Sequence, residues 1–357
     1  MPVVAIQRGG QRVCNWDNYA ERFRIAASMY RLDKEWVDAC LVYALYLHKH
    51  KLPIIYDQEH LGYLTGIDVN VLLNAANNTV DYYKIWKIPK KRQGEFREIA
   101  EPLPSLKLVQ RFLYSKLFAF LPISKYAKGF VPQKNVLDHV RWHTGQRVVC
   151  LLDLKDYFPS ISGNRVYGLL RSYGYTKEIS WLIAKLCTLN GGLPQGAPTS
   201  PVISNVITRR MDNRLFGLAR KFGMRYSRYA DDIAFSGNDF PRRVIRYAQE
   251  IIEDEGFALN ESKSRILQSS QRQEIVGVVV NEKRQLRRSM RRSIRQQMYF
   301  IEKYGLLDHM RRSGTTRSAY LSHLLGRVEW ARYINPGDEE MRTYSLKLRK
   351  FMSDYIT

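Results

Sequence analysis

Apolar residues recur every three to four positions in "YAERFRIAASMY" (19–30) and "EWVDACLVYALYLH" (35–48), the spacing that gathers them on one face of an α-helix. Pro53 and the stretch "TGIDVN" (65–70) interrupt that pattern, so residues 15–80 read as a set of short helices. From "YYKIWKIPKKRQGEFREIAEP" (82–102) onward the period changes. Apolar residues alternate on either side of the polar turn "KKRQGE", which predicts a basic hairpin. "SLKLVQRFLYSKLFAFL" (105–121) returns to helical spacing, and the continuous apolar run "RVVCLLDL" (147–154) predicts a strand buried on both faces. "MRYSRYADDIAFSG" (224–237) predicts strand, tight turn, strand. "RRVIRYAQEIIEDEGF" (242–257) predicts an amphipathic helix stopping near Gly256. "IVGVVVN" (275–281) predicts one more strand, and the remainder is helical and strongly basic.

Of 357 residues, 45% are hydrophobic, enough for a large core and more than one subdomain. The formal net charge of +23 asks for a polyanionic partner, nucleic acid ahead of an anionic membrane. No apolar stretch approaches the ~18 residues of a membrane span, and the first residues carry no signal-peptide pattern. A cytoplasmic protein with no membrane partner is therefore expected. Cys14, Cys40, Cys150 and Cys187 lie far apart with no C-x-x-C pair, which predicts reduced thiols and no zinc site.

The chemistry concentrates in carboxylates. Asp231 and Asp232 project from the tip of the proposed hairpin, and Asp153 closes the buried strand. An exposed Asp-Asp turn is the ordinary reading of such a pair standing alone. A second Asp-bearing strand upstream and a strongly basic chain change that reading. Three unneutralised carboxylates brought together repel strongly, and a divalent cation removes the cost. Hard oxygen ligands without nearby Cys or His suit Mg²⁺. Two such ions can clamp the attacking and leaving oxygens of a phosphoryl transfer. Asp156 follows Asp153 by three residues, which in an extended strand turns it to the opposite face, so it is not counted as a ligand.

"LLDLKDYFPSIS" (151–162), "GLPQGAPTSPVISNVI" (192–207), "YADD" (229–232), "GFALNESKSRIL" (256–267) and "EIVGVVVN" (274–281) resemble, in order and spacing, the successive palm motifs of reverse transcriptases. The likeness covers roughly residues 80–340. It implies an α+β, right-hand polymerase fold with fingers, palm and thumb, an antiparallel palm sheet and a helical N-terminal extension. The implied boundaries are 1–80 for that extension, 81–150 with about 163–205 for the fingers, 151–281 for the palm and 282–357 for a basic helical thumb. It implies Asp153, Asp231 and Asp232 as catalytic, metal-holding carboxylates. It implies Lys263 as the lysine that protonates or steadies the pyrophosphate leaving group. Phe158 matches the aromatic beside the sugar that excludes a 2′-hydroxyl. Gln195 and Gly196 match the floor under template and nucleotide, and Tyr229 belongs to the same nucleotide site. Arg97 matches the finger arginine over the incoming base, with Lys90 and Lys91 on the same cationic hairpin.

"QGAPTSPVISN" (195–205) looks most like the retron group of bacterial reverse transcriptases. That group implies RNA-directed DNA synthesis from deoxynucleotides (dNTPs) with two Mg²⁺ ions. The template is a cognate noncoding RNA, primed from one of its own 2′-hydroxyls to leave a branched RNA–DNA product (msDNA). It also implies a separate effector protein and a role in anti-phage defence. Two signatures depart from the group. "HVRWH" (139–143) keeps only His143 of the family's "NAxxH", and Ile275-Val276-Gly277 keeps only the glycine of "VTG". A zinc reading of His139 and His143 lacks a third ligand and a general-base Glu. The alternatives to a retron enzyme are another prokaryotic reverse transcriptase, of abortive-infection or group II intron type, or a catalytically silent RNA-binding scaffold.

"KRQLRRSMRRSIRQQMYFI" (283–301) predicts a helix with Arg284, Arg287, Arg288, Arg291, Arg292 and Arg295 in one arc and Leu286, Met290, Ile294 and Ile301 opposite. No acidic residue falls within it, so the arginines are expected to stand unpaired and to meet RNA phosphates. Its place after the palm matches the family's thumb, which grips duplex by shape and phosphates.

Overall fold

The computed structural model describes residues 15–89, 94–312, 314 and 320–356. The chain divides into two compact units, the first from Met1–Val131, Leu154–Arg214 and Glu250–Ala258, the second from Pro132–Asp153, Leu215–Gln249 and Leu259–Thr357.

The first unit begins with α1 (Trp16–Met29), α2 (Lys34–Lys49), α3 (Gln58–Thr65) and α4 (Val69–Asn77). Each starts where a short polar side chain accepts from a free backbone N–H of the first turn. Asn15, Asp33, Asp57 and Asp68 do this at 2.8–3.2 Å. The predicted hairpin follows as antiparallel β1 (Tyr83–Pro89) and β2 (Phe96–Pro102), and then α5 (Pro104–Lys116). Lys90 and Lys91 lie outside the described residues. Later segments add α7 (Gly163–Ser172), α8 (Lys177–Cys187) and α9 (Ser200–Ile207), after which the chain continues into α10 (Arg209–Lys221). α9 carries Pro201 in its first turn, where a missing N–H gives up no hydrogen bond.

The second unit holds α6 (Val136–Val140), β3 (Val148–Asp153), β4 (Arg225–Tyr229), β5 (Asp232–Gly237), β6 (Arg265–Gln268), β7 (Glu274–Ile275), β8 (Val278–Val279) and β9 (Gln285–Leu286). α11 (Arg243–Asp254) lies between β5 and β6 in sequence. Four strands form an antiparallel sheet in the order β4-β5-β3-β6, with β3 central, as its continuous apolar run predicts. The unit ends in α12 (Arg288–Tyr304), α13 (Leu306–Arg312), α14 (Tyr320–Ile334) and α15 (Glu339–Ile356). Val149 of β3 and Ala234 of β5 share one buried apolar cluster with Ile294, Met298, Leu324 and Leu348 from these helices. The C-terminal helices thus pack into the core that backs the sheet.

Three expectations are corrected. "IVGVVVN" is not one strand but the hairpin β7–β8, turning at Val276 (φ 46°) and Gly277 (φ 83°). Left-handed backbone at both turn residues suits the twist of a two-residue hairpin, and glycine adopts it without steric cost. The basic stretch 283–301 is not one helix. Gln285 and Leu286 form β9, Arg287 is the N-cap, and helix begins only at Arg288. Arg284 and Arg287 therefore leave the predicted arc. Asp156 is not on an extended strand, because β3 ends at Asp153 and Asp156 sits in a turn at φ 45°.

Candidate active site

β3 and β5 pair so that Asp153 lies directly opposite Asp232. On the other side of β5, Tyr229 of β4 also registers with Asp232, so only Ala230 and Asp231 turn the chain. That turn requires Ala230 at φ 56°, a left-handed conformation that costs a non-glycine residue about 1–2 kcal/mol. Arg228, a fully buried residue of β4 itself, donates from Nη1 to the Ala230 carbonyl at 2.8 Å. Sequence alternation gave no sign of this arginine's burial. Its role emerges only once the turn's carbonyl is seen to need a donor.

Lys263, from the loop before β6, reaches Asp153 with Nζ at 2.9 Å from Oδ1 and 3.2 Å from Oδ2. The backbone supports this approach, since Asn260 N–H donates to the Asp153 carbonyl at 2.8 Å. Asp232 has its carboxyl pushed up to about 7, first by burial and then by the charges of Asp231 and Asp153, against the opposing pull of Lys263 and Arg265. Crowding by its two carboxylate neighbours thus makes the charged form of Asp232 costly. Among the described residues no three His, Cys, Asp or Glu side chains converge as a ready cation cage. The donor set is nevertheless all carboxylate oxygen, short of positive charge, and open to complete its coordination from substrate phosphates, which suits a hard divalent cation.

The first unit carries a second set of predicted residues. The Gln195 carbonyl accepts from Ala100 N–H at 2.7 Å, so β2 of the basic hairpin is stitched to the "LPQG" loop. Gly196 sits at φ 126°, where a Cβ would come within 2.6 Å of the Ala100 carbonyl oxygen. Only glycine allows that approach. Arg97 stands exposed on β2 opposite Ile88. Phe158 is half-buried, its ring centroid 5.2 Å from Tyr157 and 6.0 Å from Phe130.

Both sets fall, in sequence, within one known family. A sequence profile of the family "Reverse transcriptase (RNA-dependent DNA polymerase)" matches residues 88–280, which contain both. The retron Mx65 reverse transcriptase of Myxococcus xanthus is 32% identical over 349 residues, covering 91% of this chain and 79% of that protein. The chain belongs to the bacterial retron-type reverse transcriptases. The retron Mx162 enzyme of the same organism is 38% identical over 62% of this chain and 53% of its own length. The retron Ec86 enzyme of Escherichia coli is 31% identical over 73% of this chain and 83% of its own. As a member of this family the retron-type enzyme is an RNA-directed DNA polymerase. Among the described residues no helix is long and apolar enough to cross a membrane.

In this reverse transcriptase His139 and His143 are hydrogen-bonded into the sheet. His139 Nδ1 and His143 Nε2 both meet Ser227 Oγ, at 2.7 and 2.8 Å, and His143 Nδ1 meets Ser236 Oγ at 2.7 Å. Ser227 lies on β4 and Ser236 on β5, so the two histidines brace the strands that carry Tyr229 and Asp232. Tyr229, half-buried, has its ring 5.9 Å from His139. The burial of His143 pushes its imidazole down to about 3, and the nearby Arg225 adds to the shift. The serines carried no sequence signal beyond their place in an apolar strand.

The expectation of six unpaired arginines is corrected. Arg287 pairs with Glu274. Arg291 meets Asp338 at 2.7 Å and Glu340 at 3.0 Å, and Arg295 also binds Glu340. The acids come from β7 and the start of α15, which a search within 283–301 misses. Among the described residues Arg284, Arg288 and Arg292 pair with no acid, and Arg288 and Arg292 are exposed one turn apart on α12. Met290, expected on the docking face, is 38% exposed.

Proposed function

We propose that this enzyme is the RNA-directed DNA polymerase of a retron, copying part of a cognate structured noncoding RNA from an internal 2′-hydroxyl into branched RNA–DNA. The observation that carries the reading is the direct opposition of Asp153 and Asp232 beside Asp231, with Lys263 seated on Asp153, in a retron-family chain. Asp153, Asp231 and Asp232 would hold Mg²⁺, which when bound lowers the pKa of the attacking hydroxyl and neutralises charge on the phosphates. The half-exposed Lys263 ammonium is free to exchange Asp153 for a departing pyrophosphate, to which it supplies a proton or a positive charge.

The remaining roles follow the same reading. Arg97, with Lys90 and Lys91, draws in the triphosphate. Gln195, Gly196 and Tyr229 form the surface on which template and nucleotide rest. Phe158 blocks a 2′-hydroxyl. Residues 81–150 and about 163–205 act as fingers, 151–281 as palm and 282–357 as thumb, behind a helical extension over 1–80. Arg284, Arg288 and Arg292 offer unpaired charge to RNA phosphates, and Arg287, Arg291 and Arg295 reach RNA only by giving up acidic partners. The setting is the cytoplasm, with a separate effector protein in anti-phage defence. Purification from cells that carry the cognate noncoding RNA tests this: sequencing should recover a DNA strand joined to an RNA 2′-oxygen and released by a debranching enzyme. Linear nucleic acid alone would contradict it.

A further inference from the structure

Phe158 is only as selective as its position is fixed, and two aromatic neighbours fix it. Tyr157, 3% exposed, stacks at 6.0 Å on Phe257, whose far partner is the Arg165 guanidinium 4.7 Å from its ring. That side is a buried foundation. Phe130 is built differently. It is 48% exposed, yet its backbone is held at φ 58°, where a bulky side chain is strained. The buried Asn205 side chain secures the turn by donating from Nδ2 to the Gly129 carbonyl at 2.8 Å. A strained, half-exposed aromatic is poorly explained by core packing, and strain maintained by a buried hydrogen bond points to a role for the ring. Its ring meets that of Phe158, centroids 6.0 Å apart and planes tilted by 49°.

We propose that Phe130 is a positioning residue for sugar selection: it restrains the Phe158 ring, and without it ribonucleotides enter more readily. The inference rests on the reading of Phe158 as the residue that excludes a 2′-hydroxyl. Phe130 acts through Phe158, whereas Arg97 and the carboxylates are untouched by its removal.

The test measures single-nucleotide addition of dATP and ATP by the full chain on a pre-annealed primer and RNA template, as the ratio of the two kcat/KM values. Phe130→Gly relieves the backbone strain while deleting the ring, so its thermal melt should match the parent. Its deoxy-to-ribo ratio should fall by roughly three- to tenfold, the worth of one aromatic pair. Phe130→Leu, which keeps apolar bulk without the ring, should fall likewise, and Phe130→Tyr should retain the parental ratio. Parental ratios in Phe130→Gly and Phe130→Leu, beside a lowered ratio in Phe158→Ala, would overturn the proposal and leave Phe158's role standing. A parental ratio in Phe158→Ala would overturn both.

Discussion

At Asp232 burial, two neighbouring carboxylates and two nearby cations contend, and the balance leaves the carboxyl titrating near neutrality at about 7. The same residue-scale accounting applies at His143, bonded to Ser227 and Ser236 of the same hairpin, where burial opposes charge and the nearby Arg225 adds to it. Its imidazole titrates at about 3 when folded, against about 6.5 in an unfolded chain. Above the unfolded value both states are neutral and pH has no leverage here. As pH falls from about 6.5 toward 3, the unfolded chain takes a proton that the folded chain refuses, and stability drops by up to about 1.4 kcal/mol per unit. Urea melts of the parent at pH 7 and pH 5 should therefore show a loss that is smaller in His143→Gln. Equal losses would mean that His143 is not held neutral in the sheet.

Elements were legible where one local rule governed them. The alternation around "KKRQGE", the apolar run ending at Asp153 and the strand–turn–strand about "YADD" all form as the spacing predicts. Asp153 closes its strand and Asp231 lies in the turn, as the strand–turn–strand reading places them, whereas Asp232, expected beside Asp231 at the tip, opens β5. What could not be read were features set by distant partners: Ser227 between two histidines, and Asp338 and Glu340 against α12. Val276 is the opposite case, a β-branched residue with every local preference for strand, forced into a left-handed turn by the β7–β8 pairing. Because it is 37% exposed, little packing is lost by changing it. Val276→Asn should raise stability by about 1 kcal/mol, since asparagine tolerates that conformation. Chemical denaturation decides the matter, and a lower midpoint would show that the turn is not strained.

Over the whole molecule, the net charge of +23 includes arginines in two different settings, paired with acids or not. Arg291 is tied to Asp338 and Glu340, both at least partly shielded from solvent, and Arg291→Gln should cost about 1–3 kcal/mol of stability. Arg288 and Arg292 are exposed and pair with no acid among the described residues. Replacing these two with Gln should leave the melt unchanged and reduce the slope of log RNA affinity against log salt by about two. If the slope stayed parental, α12 would not meet RNA phosphates. The central claim, that opposed carboxylates on β3 and the β4–β5 hairpin carry DNA synthesis, has a more direct test. Primer extension on an RNA template should be abolished in Asp231→Asn/Asp232→Asn, with RNA affinity and melting temperature close to the parent. Extension at the parental rate by that folded double variant would contradict the account.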